Sequence, residues 1–202
     1  MKLYYMQGAC SLASHIALTK AGASFEPVKV DFATKKAADG RDLNQVNPKG
    51  YVPALTLDDG QTLTENICVL QYIADLKPAA QLAPPYGTME RYRLLEWLGF
   101  ISSEIHKSYS PLFRHDASEE ARDYARAHLS KRLGYLNGAL AGRDFVTGQG
   151  FSIADCYLGV VLGWSAHVKL DLGQWPELGR YLHGFRAQPP VIAAQKAEGL
   201  IQ

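Results

Sequence analysis

The pattern of hydrophobic and polar positions divides the chain into two parts. In residues 1–79, short apolar runs of strand length alternate with segments whose apolar residues recur at helical spacing. In residues 88–202, only the helical spacing recurs. Residues 80–87 contain Pro84, Pro85 and Gly87 and predict a linker between two domains.

The first part predicts a small mixed sheet with helices packed on it. Apolar runs at residues 3–6 and 25–30 predict two strands, and residues 10–20 predict the helix that joins them. Such a βαβ unit favours a parallel pair of strands. Residues 53–63 predict a hairpin, and Thr64 predicts the N-cap of the helix that follows. The predicted order is therefore βαβ followed by ββα.

The second part predicts an all-α helical bundle. Residues 89–109 have a long helical pattern, which Pro111 is expected to end. Ser152 and Asp155 have the spacing of a capping box at the start of a helix. They precede residues 156–164, the most apolar segment of the chain, which predicts a helix in the centre of the bundle.

Composition limits the classes of partner. The formal net charge is +1 over 202 residues, so no global field would recruit nucleic acid or an anionic membrane. The three cysteines form no CxxC pair and no metal-ligand pattern with the histidines, which predicts a reduced, cytoplasmic protein without a metal. No signal peptide or apolar run of membrane-spanning length is expected.

The first candidate for chemistry is the thiol of Cys10. If a strand ends at Met6 and a helix begins near Cys10, the thiol lies at a helix N-terminus, where the helix dipole favours a thiolate. Ser11 could donate a hydrogen bond to a bound sulfur anion. Because Ala13 stands where a second cysteine would be needed, only an external thiol could resolve a mixed disulfide. The alternative is that Cys10 is a small buried residue.

Two further candidates lie beside the predicted hairpin. A cis bond before Pro53 would turn the Val52 backbone outward, where it could hold a peptide-like ligand; a trans proline that begins an edge strand is the alternative. At the next helix start, backbone N–H groups suit a ligand carboxylate, and Glu65 beside Asn66 suits a ligand ammonium. A plain N-cap with an acidic first turn is the alternative there.

The last candidate pair lies on the long predicted helix. His106 could hydrogen-bond a ligand or polarise a thiol, and Lys107 could meet a carboxylate. A structural histidine is the alternative. On the same helix, Arg91 could face a partner subunit or solvent.

Taken together, these features resemble the beta class of bacterial glutathione transferases over essentially the whole chain. Four stretches carry the resemblance, and their order and spacing are more specific than any one of them. They are Met1-Lys2-Leu3-Tyr4-Tyr5, Gly8-Ala9-Cys10-Ser11-Leu12, Asn47-Pro48-Lys49-Gly50-Tyr51-Val52-Pro53-Ala54-Leu55 and Ser152-Ile153-Ala154-Asp155. The resemblance implies a thioredoxin-like domain over residues 1–79 and a helical domain with an electrophile pocket over residues 88–202.

The resemblance also implies the roles of individual residues. Cys10 would lie beside the glutathione sulfur, with Ser11 and His106 as its polar neighbours. Glutathione would be held at its cysteinyl backbone by Val52 and a cis Pro53, and at its γ-glutamyl end by Glu65 and Asn66. Lys35 and Lys107 would lie near its glycine carboxylate or at the rim of the site. The region of residues 105–113 and Trp164 would line the electrophile pocket.

The implied function is conjugation of glutathione, as co-substrate, to hydrophobic electrophiles in detoxification by a homodimer. Thiol–disulfide exchange or reductive dehalogenation through Cys10 are further implied activities. A non-enzymatic stress or ligand-carrier protein of the same fold is the alternative. The sequence departs from the family at Met6-Gln7, where Ser-Pro is more frequent, and at Asn66, where serine is frequent. The first departure is expected to alter the wall of the electrophile pocket.

Overall fold

The structure, a computed structural model, describes residues 1–202 and divides into two units, residues 1–83 with 188–202 and residues 84–187. In the first unit, the elements follow the predicted βαβ–ββα order, with a one-turn helix between the two halves. They are β1 (Lys2–Tyr5), α1 (Ser11–Lys20), β2 (Glu26–Lys29), α2 (Leu43–Val46), β3 (Ala54–Thr56), β4 (Thr62–Thr64) and α3 (Asn66–Leu76).

The four strands form one mixed sheet in the order β2-β1-β3-β4. β1 runs parallel to β2 and antiparallel to β3, and β3 pairs antiparallel with β4. Leu3 and Tyr4, on opposite faces of β1, are both fully buried, so the centre of the sheet is covered on both sides. The predicted thioredoxin-like α/β class is confirmed.

The second unit is all helical, as predicted. Its helices are α4 (Met89–Phe100), α5 (Ser110–Phe113), α6 (Glu119–Ala139), α7 (Ile153–Gly163) and α8 (Pro176–Arg186). A π-helical turn, Ile101–His106, and a 3-10 turn, Lys107–Tyr109, join α4 to α5. The expectation that Pro111 ends this path was wrong. Pro111 lies in the first turn of α5, where a missing N–H removes no helical hydrogen bond.

The predicted capping box at the start of α7 is confirmed. The Asp155 carboxylate accepts hydrogen bonds from the Ser152 backbone N–H at 2.9 Å and from the Ser152 hydroxyl at 2.7 Å. The Val146 N–H and the Tyr181 hydroxyl complete its partners, at 2.8 and 3.0 Å. Residues 153–162 are all buried, so α7 is the central helix of its unit.

The last helix, α9 (Pro189–Ala197), belongs to the first unit and not to the helical one. This differs from the expected helical domain of residues 88–202. Val191 and Ala194 are fully buried on the face of α9, which packs against α1. Beyond the helix, Glu198 makes a buried contact with His15 at 2.9 Å. These contacts hold the C-terminal segment on the sheet unit.

None of the helices combines the length and the hydropathy that a membrane-spanning segment requires.

Candidate active site

Cys10 lies where the sequence predicts it, at the N-cap of α1. Gly8, with φ of 69°, forms the turn that leads from β1 into the helix. The half-buried Cys10 thiol donates to the Val52 carbonyl oxygen at 3.3 Å. The Val52–Pro53 peptide bond is cis, as the resemblance implies. The thiol and the loop before β3 therefore meet directly.

Asn47 stabilises the loop that carries Val52 by hydrogen bonds to the loop backbone. This side chain is only 2% exposed. Its Nδ2 donates to the Tyr51 carbonyl at 2.7 Å, and its Oδ1 accepts from the Lys49 N–H at 3.2 Å. Asn47 thus fixes the backbone just before the cis bond.

Ser11 does not present its hydroxyl as the sequence suggests. The residue is fully buried, and its Oγ accepts from the Met6 N–H at 3.2 Å and donates to the Met6 carbonyl at 3.3 Å. Ser11 therefore ties the start of α1 to the end of β1, and this geometry favours a positioning role over the predicted contact with a sulfur anion.

Met6 also has a different role from the expected one. Its side chain is 6% exposed and belongs to a buried apolar cluster with Tyr4, Val28 and Val30. Gln7 is bonded to the Gly199 carbonyl and to Lys29, at 3.3 and 3.1 Å. The expectation that Met6-Gln7 alters the wall of an electrophile pocket therefore fails for Met6, which packs in the core of the first unit.

Glu65 occupies the N-cap of α3, one residue later than the predicted cap at Thr64, which ends β4. Its φ of 66° lies in the left-handed region, a conformation that costs a non-glycine residue about 1–3 kcal/mol and is concentrated at functional sites. The Glu65 carboxylate is bonded to Lys49 Nζ at 2.6 Å, and the same ammonium donates to Thr64 Oγ1 at 3.0 Å. Sequence reasoning missed Lys49 because its partners, Thr64 and Glu65, lie 15 and 16 positions further along the chain.

Asn66, the first residue of α3, is 7% exposed. Its Oδ1 accepts a hydrogen bond from Ser14 Oγ at 2.9 Å. Its Nδ2 is buried and has no hydrogen-bond partner within the protein. The first backbone N–H groups of a helix also lack intrahelical partners, so this corner of the unit is rich in donors.

Lys35 lies in the loop after β2 with a φ of 59°. Its ammonium is 4.7 Å from the centroid of the Phe32 ring, and it makes no ion pair. Phe32 is 75% exposed, whereas Lys35 itself is half-buried.

In the helical unit, His106 and Trp164 are the centre of an aromatic cluster. The His106 ring lies 4.9 Å from Trp164, and Tyr109 and Phe113 lie 5.7 and 5.6 Å from Trp164. His106 Nδ1 is 2.6 Å from the Tyr157 hydroxyl. Burial, and to a smaller extent Lys107, lowers the pKa of His106 from 6.5 to about 4.

The structure thus brings some of the predicted site residues into contact, while the contacts of the others with a ligand stay predictions. Cys10 and Val52-Pro53 meet in the first unit, where Glu65 and Asn66 adjoin each other at α3. His106 and the exposed Lys107 belong to the helical unit, and their action on a ligand of the first unit stays a prediction. No group of three or more His, Cys, Asp or Glu side chains gathers as a metal site would require.

Comparisons with known proteins agree on one family. The family model of the glutathione S-transferase N-terminal domain matches residues 1–75, and that of the C-terminal domain matches residues 100–189. Glutathione S-transferase GstA of Escherichia coli O157:H7 is 46% identical over 200 residues, which cover 99% of this chain and 100% of GstA. The chain belongs to the glutathione S-transferase family.

Solved structures of family members support the same assignment. A sphingomonad glutathione S-transferase complexed with glutathione is 52% identical, with a TM-score of 0.96 and full coverage of both chains. A beta-class glutathione S-transferase of Sphingomonas chungbukensis gives the same identity, TM-score and coverage. The resemblance to the beta class is confirmed, and the protein is a glutathione transferase rather than a non-enzymatic relative.

Neither tyrosine of β1 is placed to activate a thiol in this transferase. The Tyr4 hydroxyl donates to Asp39 at 2.8 Å, and burial raises the pKa of Tyr4 to about 12. Tyr5 is 7% exposed and packs edge-on against the His15 ring, 5.8 Å away. The role of Cys10 beside a glutathione sulfur therefore has no competitor among the tyrosines of β1, and it stays a prediction.

Proposed function

We propose that the first unit binds glutathione with its sulfur beside Cys10, and that the enzyme conjugates this sulfur to hydrophobic electrophiles. The contact between the Cys10 thiol and the Val52 carbonyl carries the proposal. Val52 precedes a cis proline, and its backbone would pair with the cysteinyl unit of the ligand by extending the sheet. That pairing would bring the glutathione sulfur to the N-terminus of α1, where partial positive charge favours a thiolate.

The remaining groups of glutathione have matching partners in this proposal. Glu65 would bind the γ-glutamyl ammonium, and the donors at the start of α3, including Asn66, would bind its carboxylate. Lys35 would bind the glycine carboxylate, to which Lys107 would also contribute. His106 would polarise the reacting thiol as a neutral hydrogen-bonding group, and the aromatic cluster around Trp164 would receive the electrophile.

Cys10 adds thiol–disulfide exchange to the proposed chemistry. Its thiolate would attack a mixed disulfide of glutathione, form a Cys10–glutathione disulfide and release the other thiolate. A second glutathione thiolate would attack that disulfide, which yields oxidised glutathione and returns Cys10 as a thiolate. Reductive dehalogenation would use the same relay after glutathione has displaced a halide: Cys10 removes the glutathione sulfur, and the carbon takes a proton.

Calorimetric titration of the reduced protein with glutathione tests the binding proposal. We expect saturable binding, weakened about tenfold or more in Glu65→Gln because a charge-assisted hydrogen bond contributes about 1.5–3 kcal/mol. Glu26→Gln is the matched control, since Glu26 is also an exposed carboxylate paired with a lysine, at 3.2 Å from Lys2. Absence of binding up to several millimolar glutathione would contradict the proposal.

The division of roles between conjugation and exchange is tested by Cys10→Ala. We expect the variant to lose exchange activity and to keep most of its conjugating activity, because only exchange needs a covalent bond to the enzyme. Both activities are measured with the same glutathione concentration, and Cys68→Ala, at an exposed cysteine of α3, is the control. Equal loss of both activities would contradict this division.

We also propose a cytoplasmic homodimer. The start of the helical unit exposes large apolar side chains, with Tyr86, Met89 and Tyr92 at 81%, 65% and 55% exposure, and these would suit a partner subunit. Arg91, which the sequence offered for that role, is 1% exposed and packs inside its own unit. All three cysteines are free thiols, as a reducing compartment would keep them. Sedimentation velocity at micromolar concentration would reveal the oligomeric state.

A further inference from the structure

A buried hydrogen bond joins two helices of the first unit beneath the proposed γ-glutamyl subsite. Ser14, in the middle of α1, is fully buried, and its hydroxyl donates to Asn66 Oδ1 at 2.9 Å. The two residues are 52 positions apart, and the contact spans the packed pair α1 and α3. Nothing in the local sequence around either residue indicates this contact.

The other end of the same carboxamide has no partner. Asn66 is 93% buried, yet its Nδ2 makes no hydrogen bond within the protein. Buried donors in native proteins almost always have a partner, and a missing one points to a bound water or ligand. The donor lies at the first residue of α3, directly after Glu65, whose left-handed backbone places it at the helix entrance. Carboxylates bind at such helix entrances.

We propose that Ser14 is a positioning residue, which holds the Asn66 carboxamide with Nδ2 available to the α-carboxylate of the γ-glutamyl unit. This inference rests on the proposed binding of glutathione. Donation by Ser14 occupies Oδ1, so that Nδ2 faces the donor-rich corner. The reversed carboxamide would present Oδ1 to the carboxylate, and two acceptors would then repel each other.

The chain of donors also strengthens the contact that Asn66 would make with the ligand. The Ser14 hydroxyl donates to Oδ1, and this polarises the amide so that Nδ2 becomes a better donor to an anion. Without Ser14, Oδ1 would lose its partner in a buried site and the amide would be free to rotate. Ser14 thus acts on the ligand only through Asn66.

A double-mutant cycle on glutathione affinity tests the proposal. We expect Ser14→Ala and Asn66→Ala each to raise the glutathione Kd about three- to twentyfold, and the double variant to bind no worse than Asn66→Ala alone, because the effect of Ser14 requires the carboxamide. At saturating glutathione, kcat of Ser14→Ala should stay within about twofold. Thr19→Val is the control, since the Thr19 hydroxyl, on the same helix, donates to the His15 carbonyl at 2.9 Å and not to α3.

A ligand analogue separates positioning from general damage to α1. The probe is 4-aminobutanoyl-cysteinyl-glycine, which lacks the α-carboxylate of glutathione and keeps the rest. Its Kd should not change in Ser14→Ala. Asn66→Asp, which keeps an acceptor for Ser14 but repels a carboxylate, should bind glutathione more weakly than Asn66→Ala does and should keep its affinity for the analogue. Ser14→Cys, with nearly the same volume and a weak donor, replaces Ser14→Ala if that variant does not fold.

Several outcomes would overturn the positioning role. Additive effects of the two alanine substitutions, or equal loss of affinity for glutathione and for the analogue, would make Ser14 a structural residue only. Either result would leave glutathione binding intact. Failure of the unmodified enzyme to bind glutathione would instead contradict the proposed function itself, so the two failures are distinguishable.

Discussion

At the scale of single residues, His106 shows how packing determines chemistry. Because burial lowers its pKa to about 4, the imidazole is neutral at physiological pH. A neutral ring has one donor and one acceptor nitrogen. The contact between Nδ1 and the Tyr157 hydroxyl occupies one of them, at 2.6 Å. His106 can therefore act by hydrogen bonding and not by positive charge.

The same pKa shift predicts a loss of stability in acid. An unfolded histidine titrates near pH 6.5, whereas folded His106 titrates at about 4. Between these values the unfolded state binds more protons, so the free energy of unfolding decreases as pH falls through this window, by at most about 3 kcal/mol. Urea unfolding at pH 7 and pH 4.5 should show a smaller decrease for His106→Gln than for the unmodified protein. His183→Gln, at an exposed histidine, is the control, and an equal decrease in both variants would contradict the assignment.

The sequence predicted where along the chain the site residues lie better than it predicted which atoms they contact. The placement of Cys10 at a helix start follows from the strand and helix boundaries around it, whereas the cis bond before Pro53 came only from the family resemblance. Ser11 was expected at a ligand sulfur, yet its hydroxyl bonds the Met6 backbone, because the turn at the end of β1 folds back onto it. Lys49 was missed because its partner, Glu65, lies in a different element of the chain.

At the scale of secondary structure, elements defined by local rules were predicted well. The capping box of α7 involves residues three positions apart, so the sequence contains the whole motif. Helix boundaries that depend on packing were less predictable. The local sequence predicts that Pro111 ends the helix. In the structure, the π-helical and 3-10 turns before it change the hydrogen-bond register, so that Pro111 lies in the first turn of a new helix.

The close packing of α7 and α8 predicts the effect of one added methyl group. A Cβ at Gly159 of α7 would lie 2.4 Å from the Phe185 ring of α8, so Gly159→Ala forces the ring or the helices to move. We expect a loss of about 1–3 kcal/mol in the free energy of unfolding, measured by urea denaturation. Gly163→Ala, at the end of the same helix with no atom within 4 Å, should be neutral or slightly stabilising. Equal effects of the two substitutions would contradict this account of the packing.

At the scale of the whole molecule, the order of the elements along the chain does not show which elements belong to which unit. The helical spacing of the last segment predicts a helix but cannot show which unit it joins. One contact that holds the segment to the first unit, between His15 and Glu198, spans 183 positions. Glu198 also accepts from the Gly8 N–H at 3.0 Å, two residues before Cys10. The C-terminal segment therefore supports the loop that carries Cys10.

Removal of the Glu198 carboxylate should therefore destabilise the first unit, although Glu198 is far in sequence from most residues of that unit. Glu198→Ala leaves His15 and the Gly8 N–H without their buried partner, and each buried polar group left without a hydrogen bond costs about 1–3 kcal/mol. Glu198→Gln keeps an oxygen for Gly8 and a polar group beside His15, so it should cost less. Lys196→Ala, at an exposed position of α9, should change the free energy of unfolding by less than about 0.5 kcal/mol. If Glu198→Ala were as mild as Lys196→Ala in urea unfolding, the C-terminal segment would be held to the first unit by the apolar face of α9 alone.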